Sequence, residues 1–212
     1  MNLRVLLAKR KIDSMRITIV LTLSFLLLFT SCSSAFADEG DIGYSKLHPA
    51  SPFYFLKTIR ENLELKFAQT THVKNLRRLE FATRRLREAK TLIPINQDLI
   101  TPTLERYIAH LNSLTDKHQQ NDEFAQIIAD NLRIHLQVLQ KIYDQAVSLR
   151  AKMSIRSAMN RIIQRADLPN DARLPVCNFF VREASSSGLN QTEKIVLIER
   201  SNNCLKHLRE GL

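Results

Sequence analysis

The sequence of 212 residues has no tryptophan, only four glycines and six prolines, and neither Gly nor Pro between Thr103 and Leu168. Chain punctuation is therefore sparse, and Asn-Gly or Asp-Gly hairpin signals and alternating strand patterns are absent. A β-rich fold is excluded on those grounds. Histidines occur at 48, 72, 110, 118, 135 and 207. They form no His-Glu-x-x-His motif or comparable ligand set. Gly-x-Ser-x-Gly, phosphate-loop and dinucleotide-binding motifs are missing as well, so neither an enzyme nor a cofactor is expected. The longest apolar run, Ile17–Thr30, has 14 residues, short of the ~20 that a spanning helix needs.

That run is still informative. It follows a basic stretch ending at Arg16 and precedes Ser31-Cys32-Ser33-Ser34-Ala35-Phe36-Ala37. A basic start, an apolar middle and small residues describe an export signal over residues 1–37. Two processing sites compete: cleavage after Ala37, or a lipoprotein signal ending at Cys32, whose Phe29-Thr30-Ser31-Cys32 resembles a lipobox. An uncleaved anchor is the third alternative. The mature part is expected to be periplasmic, at the cell surface or secreted, with membrane contact only through the signal or lipid anchor. Residues 38–50 are polar, with two Gly and a Pro, and read as a tether.

What fills the rest is helical periodicity. Ser51 and Pro52 open a helix with Phe55, Leu56, Ile59, Leu63 and Phe67 on one stripe. After a break at Thr70-Thr71, Leu76, Leu79, Thr83, Leu86, Lys90 and Ile93 form a coiled-coil-like seam that ends at Pro94. Thr101-Pro102 starts a helix carrying Leu104, Tyr107, Ile108, Leu111 and Leu114. Asn121 caps a longer one with Phe124, Ile128, Leu132, His135, Leu139 and Ile142 on one face, which an apolar pattern continues to Ile163. Unbroken, residues 121–167 would span about 70 Å at 1.5 Å per residue, so a bend near Ser148–Ser154 is expected. Asp167–Asp171 breaks the chain again, and Pro175–Ala184 and Gln191–Arg209 form a pair of helices, with Asn190 as the second cap. The expected fold is all-α: an antiparallel helical bundle over 51–167 and a C-terminal helical hairpin over 168–212. Its register depends on Leu56, Ile59, Leu63, Leu76, Leu79, Leu86, Leu132 and Leu139.

Three segments within this pattern resemble a known family. Pro49, Ser51, Pro52, Tyr54, Leu56 and Lys57 resemble a Pro-x-Ser-Pro-x-Tyr-x-Leu-Lys opening. Arg85, Leu86, Glu88 and Ala89 resemble its Arg-Leu-x-Glu-Ala helix, and His135–Leu139 resembles a later one. The family is an exported bacterial all-helical domain of uncharacterised function. The resemblance implies location and fold over about residues 47–165, and it supplies no activity, substrate or cofactor.

Charge leaves one candidate binding face. Of 31 basic and 21 acidic residues, five and one lie in the first 37, leaving 26 and 20, a net +6. That is modest for a dedicated nucleic-acid binder. Within the second helix Lys74, Arg77, Arg78, Arg84 and Arg85 share an arc opposite the Leu seam. This arc reads as a face for an anionic polymer or as a solvated face paired with Glu61 and Glu64. His135, on an apolar stripe, is expected to be buried and bonded to a backbone group or carboxylate. Cys177 and Cys204 remain as an even pair in an exported domain and are expected to form a disulfide. Strict residue-for-residue pairing about 185–190 would leave them about 9 Å apart along the helices. A protein partner at the cell envelope is the first functional expectation. An envelope polymer or extracellular DNA on the basic arc is the alternative.

Overall fold

A computed structural model describes residues 42–114, 122–186 and 188–210. The expectations for residues 1–41, Cys32 among them, and for His118 and Asn121 lie outside these. The described residues belong to one compact unit with seven α-helices and no strand. The helices are α1 (Tyr54–Lys66), α2 (Thr71–Leu92), α3 (Ile100–Asn112), α4 (Asp122–Gln145), α5 (Leu149–Ile163), α6 (Asn170–Ala184) and α7 (Gln191–Glu210). They form a helical bundle in which α2 packs on α1, α3 and α4, α5 packs on α3 and α4, and α6 packs on α7.

Caps fix several of these boundaries. Thr70 accepts a hydrogen bond from Val73 N at 3.2 Å and starts α2, as its hydroxyl suits it to do. Ser51 does not cap α1; its hydroxyl accepts from His48 N instead, and the helix starts at Tyr54. Likewise α3 begins one residue before Thr101-Pro102, after a 3-10 turn, Gln97–Leu99, capped by Asn96. The expected bend in the long segment lies at Ala146–Ser148, between α4 and α5. Gln97 holds it open: its Oε1 accepts from Val147 N at 3.0 Å and from Ser148 N at 2.9 Å. Ser148 then caps α5.

The start of α6 differs from expectation by a turn. The helix begins at Asn170 and encloses Pro175. Arg173, buried, is the reason. Its guanidinium donates to the carbonyls of Ile163, Arg165 and Leu168 at 2.9–3.0 Å and to Asn170 Oδ1 at 2.7 Å. The guanidinium thereby gathers the carbonyls at the end of α5 and in the link that follows, and the chain is fixed in a helical turn ahead of the proline. Arg156 of α5, also buried, reaches Glu183 of α6 at 3.5 Å and Glu193 of α7 at 3.3 Å. Cys177 and Cys204 form a disulfide with Cα atoms 5.6 Å apart. That distance means that α6 and α7 do not pair residue for residue about their loop.

The core is continuous from Leu79, Leu86 and Leu92 of α2 through Leu104 and Tyr107 of α3, Leu132 and Leu139 of α4, and Ile155 and Met159 of α5, to Phe179, Phe180 and Cys204. Four of the eight register positions, Leu79, Leu86, Leu132 and Leu139, are buried, and Leu76 packs partly against them. Leu56, Ile59 and Leu63 are not in the core. They are exposed together with Phe55 and Phe67, so the expected burial of the α1 stripe is reversed.

The expected tether also behaves differently from Ile42 onward. Ile42 is buried, its carbonyl accepts from Arg87 Nε, Ser45 N donates to Thr91 Oγ1 at 2.9 Å, and Lys90 sits 4.2 Å from the centre of the Tyr44 ring. Gly43 takes a left-handed conformation (φ 70°) in this segment, open to glycine without strain.

Candidate functional site

The reversal of α1 follows from what α2 offers it. Tyr54, Lys57 and Glu61 recur at three- and four-residue spacing and share one side of α1. Arg85 and Glu88, three apart, share one side of α2. Glu88 is 0 % exposed and Arg85 2 %, and charges at that depth require counter-charges and hydrogen bonds. Lys57 Nζ donates to Glu88 Oε1 at 2.5 Å, Tyr54 Oη donates to Glu88 Oε2 at 2.9 Å, and Arg85 Nη1 lies 3.0 Å from that same oxygen. The other arm of Arg85 donates to both carboxylate oxygens of Glu61 at 2.6 Å, and Arg85 also donates to Tyr54 Oη. Arg84, beside it, reaches Glu80 at 2.6 Å, Glu61 at 3.5 Å and Glu64 at 3.7 Å. Arg106 of α3 donates to the Tyr54 hydroxyl at 3.2 Å. The polar side of α1 is thus the buried side.

The electrostatics agree with a closed cluster. Burial, helped by the negative charge of Glu88, pushes the Tyr54 phenol up to about 12, so it stays protonated and donates. Burial also raises Glu61, against the pull of Arg85, Lys57 and Arg84. Burial would raise Glu80 too, but hydrogen bonds from Arg77 and Arg84 and their charges hold it below the usual range. A small cleft of about 100 Å³ opens beside the cluster between Glu61, Arg85, Phe81 and His110. It is large enough to admit water. Its His110 is lowered to about 4 by burial and by the charges of Arg85 and Arg78. With the phenol protonated and the carboxylates committed to arginine and lysine, the arrangement can hold two helices together by charge.

The expected basic face is not one open surface. Lys74 is exposed. Arg77 pairs with Glu80 at 2.8 Å, and Arg78 donates to the Ser113 carbonyl. Arg84 and Arg85 point into the cluster with Glu61 and Glu64, which were expected at the surface. Sequence reading missed Glu61, Glu88 and Tyr54 as interior groups. The signal available for them was charge alternation: Lys57, Glu61 and Glu64 on α1 complement Glu80, Arg84, Arg85 and Glu88 on α2 at matching helical spacing.

His135 is buried as expected, with different partners. Its Nε2 lies 2.9 Å from Thr83 Oγ1 and its Nδ1 lies 3.1 Å from Tyr107 Oη. The Thr83 hydroxyl donates its single proton to the Leu79 carbonyl at 3.1 Å. Nε2 therefore carries the imidazole proton and Nδ1 accepts from the phenol. Burial, with the charge of Arg87, lowers this histidine to about 3, so it is neutral at ordinary pH. Among the described residues no group of His, Cys, Asp and Glu is arranged to hold a metal ion, and no helix is long and apolar enough to cross a membrane.

Opposite the cluster lies the other feature of α1. At 100° per residue, the centre of the Phe55, Leu56, Ile59, Leu63 and Phe67 stripe is roughly 160° from the centre of the buried side. It points away from the bundle, and Phe67 at its end is 73 % exposed. Monomeric proteins seldom leave so many large apolar groups contiguous unless the patch is used.

Fold and site together define an all-helical domain with a buried ionic cluster, an outward apolar helix and a disulfide-linked C-terminal helix pair. Residues 46–147, from the Ser45–Leu47 region to the α4–α5 break, match the family model described as a domain of unknown function (DUF5667). Comparison with curated proteins and with solved structures returns no match.

Proposed function

We propose that this chain is a non-enzymatic structural and interaction protein of the bacterial cell envelope, exported and held there, that presents the outward face of α1 to a partner. Its fold in this reading is an antiparallel bundle closed by a C-terminal hairpin. The observation that carries the reading is the orientation of α1. Its charged side is spent inside on Arg84, Arg85 and Glu88 of α2, while Phe55, Leu56, Ile59, Leu63 and Phe67 are exposed. Burying such groups contributes about 25 cal/mol per Å², and a solitary domain forgoes that gain. The export expectation fits the disulfide, since such bonds persist outside the reducing cytosol.

A photo-crosslinking amino acid at Ile59, compared with one at Val147, tests this in cells. Val147 is 87 % exposed and lies outside α1. The expected result is a covalent adduct with an envelope component from position 59 and none from position 147. Equal labelling from both positions, or none from either, removes the docking role.

A further inference from the structure

We propose that the occupant of this face is a lipid bilayer surface: α1 lies along the headgroup layer and inserts Phe55, Ile59, Leu63 and their apolar neighbours. The inference rests on the docking role above and names its partner.

Composition of the outward arc argues for lipid. Besides its apolar residues, the arc from Asn62 round to Arg60 contains only two charges, Arg60 and Lys66, both positive. Glu64 stands at its edge and is held by Arg60 Nε at 2.6 Å. Aromatic and aliphatic side chains flanked by cations are the composition of helices that lie in a membrane interface. The usual polar face of such a helix is here occupied by α2. A second copy of the chain is a poorer occupant, because two-fold pairing of a face with no acid of its own sets cation against cation.

Chain path is the independent argument. The described chain begins at Ile42, buried against the bundle, and passes α1 at once: Lys57 Nζ of α1 donates to the Leu47 carbonyl at 3.4 Å. Ten residues separate Ile42 from Cys32 and twelve from Thr30, the end of the apolar run. Fully extended, ten residues reach at most ~35 Å. Where the chain is held in the membrane at Cys32 or through the apolar run before it, and not cleaved after Ala37, α1 stays within one domain's width of the bilayer. At that range insertion is effectively intramolecular, so a single short helix suffices. Membrane contact then extends beyond the N-terminal anchor.

The absence of tryptophan supplies the test. Full-length Phe55→Trp protein is reconstituted on vesicles of phosphatidylcholine and phosphatidylglycerol with brominated acyl chains. Val147→Trp serves as the control, and Ile59→Trp as a second reporter should the first disturb folding. The Phe55→Trp emission is expected to shift to the blue and to be quenched by bromine, with Val147→Trp unaffected. Adding Lys66→Gln should lower the ratio of quenched to unquenched emission about fivefold, as loss of one cation at an anionic surface implies. Identical, unquenched spectra for all reporters overturn the lipid assignment. A blue shift that rises with protein concentration, without bromine quenching, also overturns it and assigns the face to a second copy. If quenching fails while the Ile59 adduct in cells persists, the docking role stands and its partner is a protein. If both fail, the docking role falls with it.

Discussion

Replacing Glu88 by Gln removes the charge on which α1 is hung and leaves the side-chain shape nearly unchanged. The carboxylate is fully buried and takes Lys57 at 2.5 Å, Tyr54 at 2.9 Å and Arg85 at 3.0 Å. Deleting one member of a buried ion pair typically costs 3–5 kcal/mol, because the other member is left uncompensated. Two features put Glu88→Gln near the lower end. Arg85 keeps Glu61 at 2.6 Å, and the Lys57 side chain, 15 % exposed, can turn its ammonium toward water. A loss of about 3 kcal/mol in a domain of this size lowers Tm by roughly 6–12 °C. The exposed pair Arg60–Glu64 on the same helix gives the comparison: Arg60→Ala should cost under about 0.5 kcal/mol, or a degree or two. Thermal melts followed by circular dichroism read both. The double variant Lys57→Gln with Glu88→Gln should be less destabilised than the two single losses added, by about 0.5–3 kcal/mol. A Glu88→Gln shift no larger than that of Arg60→Ala would refute the buried cluster as the attachment of α1.

Reduction of the Cys177–Cys204 bond, which spans a sequence separation of 27, should cost about 3.5 kcal/mol on the loop-entropy relation. Urea titrations with and without reductant check it, and coincident curves would mean that the bond does not constrain the unfolded chain. His135 is neutral in the folded state down to about pH 3, whereas the unfolded chain takes up its proton near pH 6.5. Its effect is therefore absent above pH 6.5, and stability falls as pH drops toward 3, by up to ~1.4 kcal/mol per pH unit. His135→Gln should flatten the pH 7 to 4.5 limb of a urea-stability profile relative to the unmutated chain; parallel profiles would exclude His135 as its cause.

How much of this was legible beforehand depends on what decides each feature. The cap at Thr70-Thr71 could be read from residue type and the pairing of Cys177 with Cys204 from their even number, whereas the bend was expected only from the length of the segment, near Ser148–Ser154, and lies at Ala146–Ser148, where the distant Gln97 holds it. The faces of α1 could not be read. Periodicity says which side of a helix is apolar, but burial is set by the neighbouring element. Here α2 turns Arg85 and Glu88 toward α1, and the desolvation of those two charges outweighs the gain from burying a Phe and Leu stripe. The same exchange explains why Arg84 and Arg85 looked like part of a solvated basic arc: besides Glu80 and Glu88 on their own helix, they reach Glu61 and Glu64, 20 to 24 residues back on α1. Arg173 was overlooked for a related reason. A lone arginine in sequence gives no sign that it will satisfy the carbonyls of Ile163, Arg165 and Leu168.

The segment from Ile42 to Leu47 also sets how the molecule bears load. A pull applied at Ile42 meets Arg87 first, through the Ile42 carbonyl, then Thr91 through Ser45 N. Both anchors belong to α2, the helix packed on α1, α3 and α4. Tension arriving from the N-terminal side is therefore borne by the centre of the bundle. Until those contacts part, α1 lies beyond the point of attachment and carries no strain, so its apolar face keeps its shape while the chain ahead of it is drawn taut.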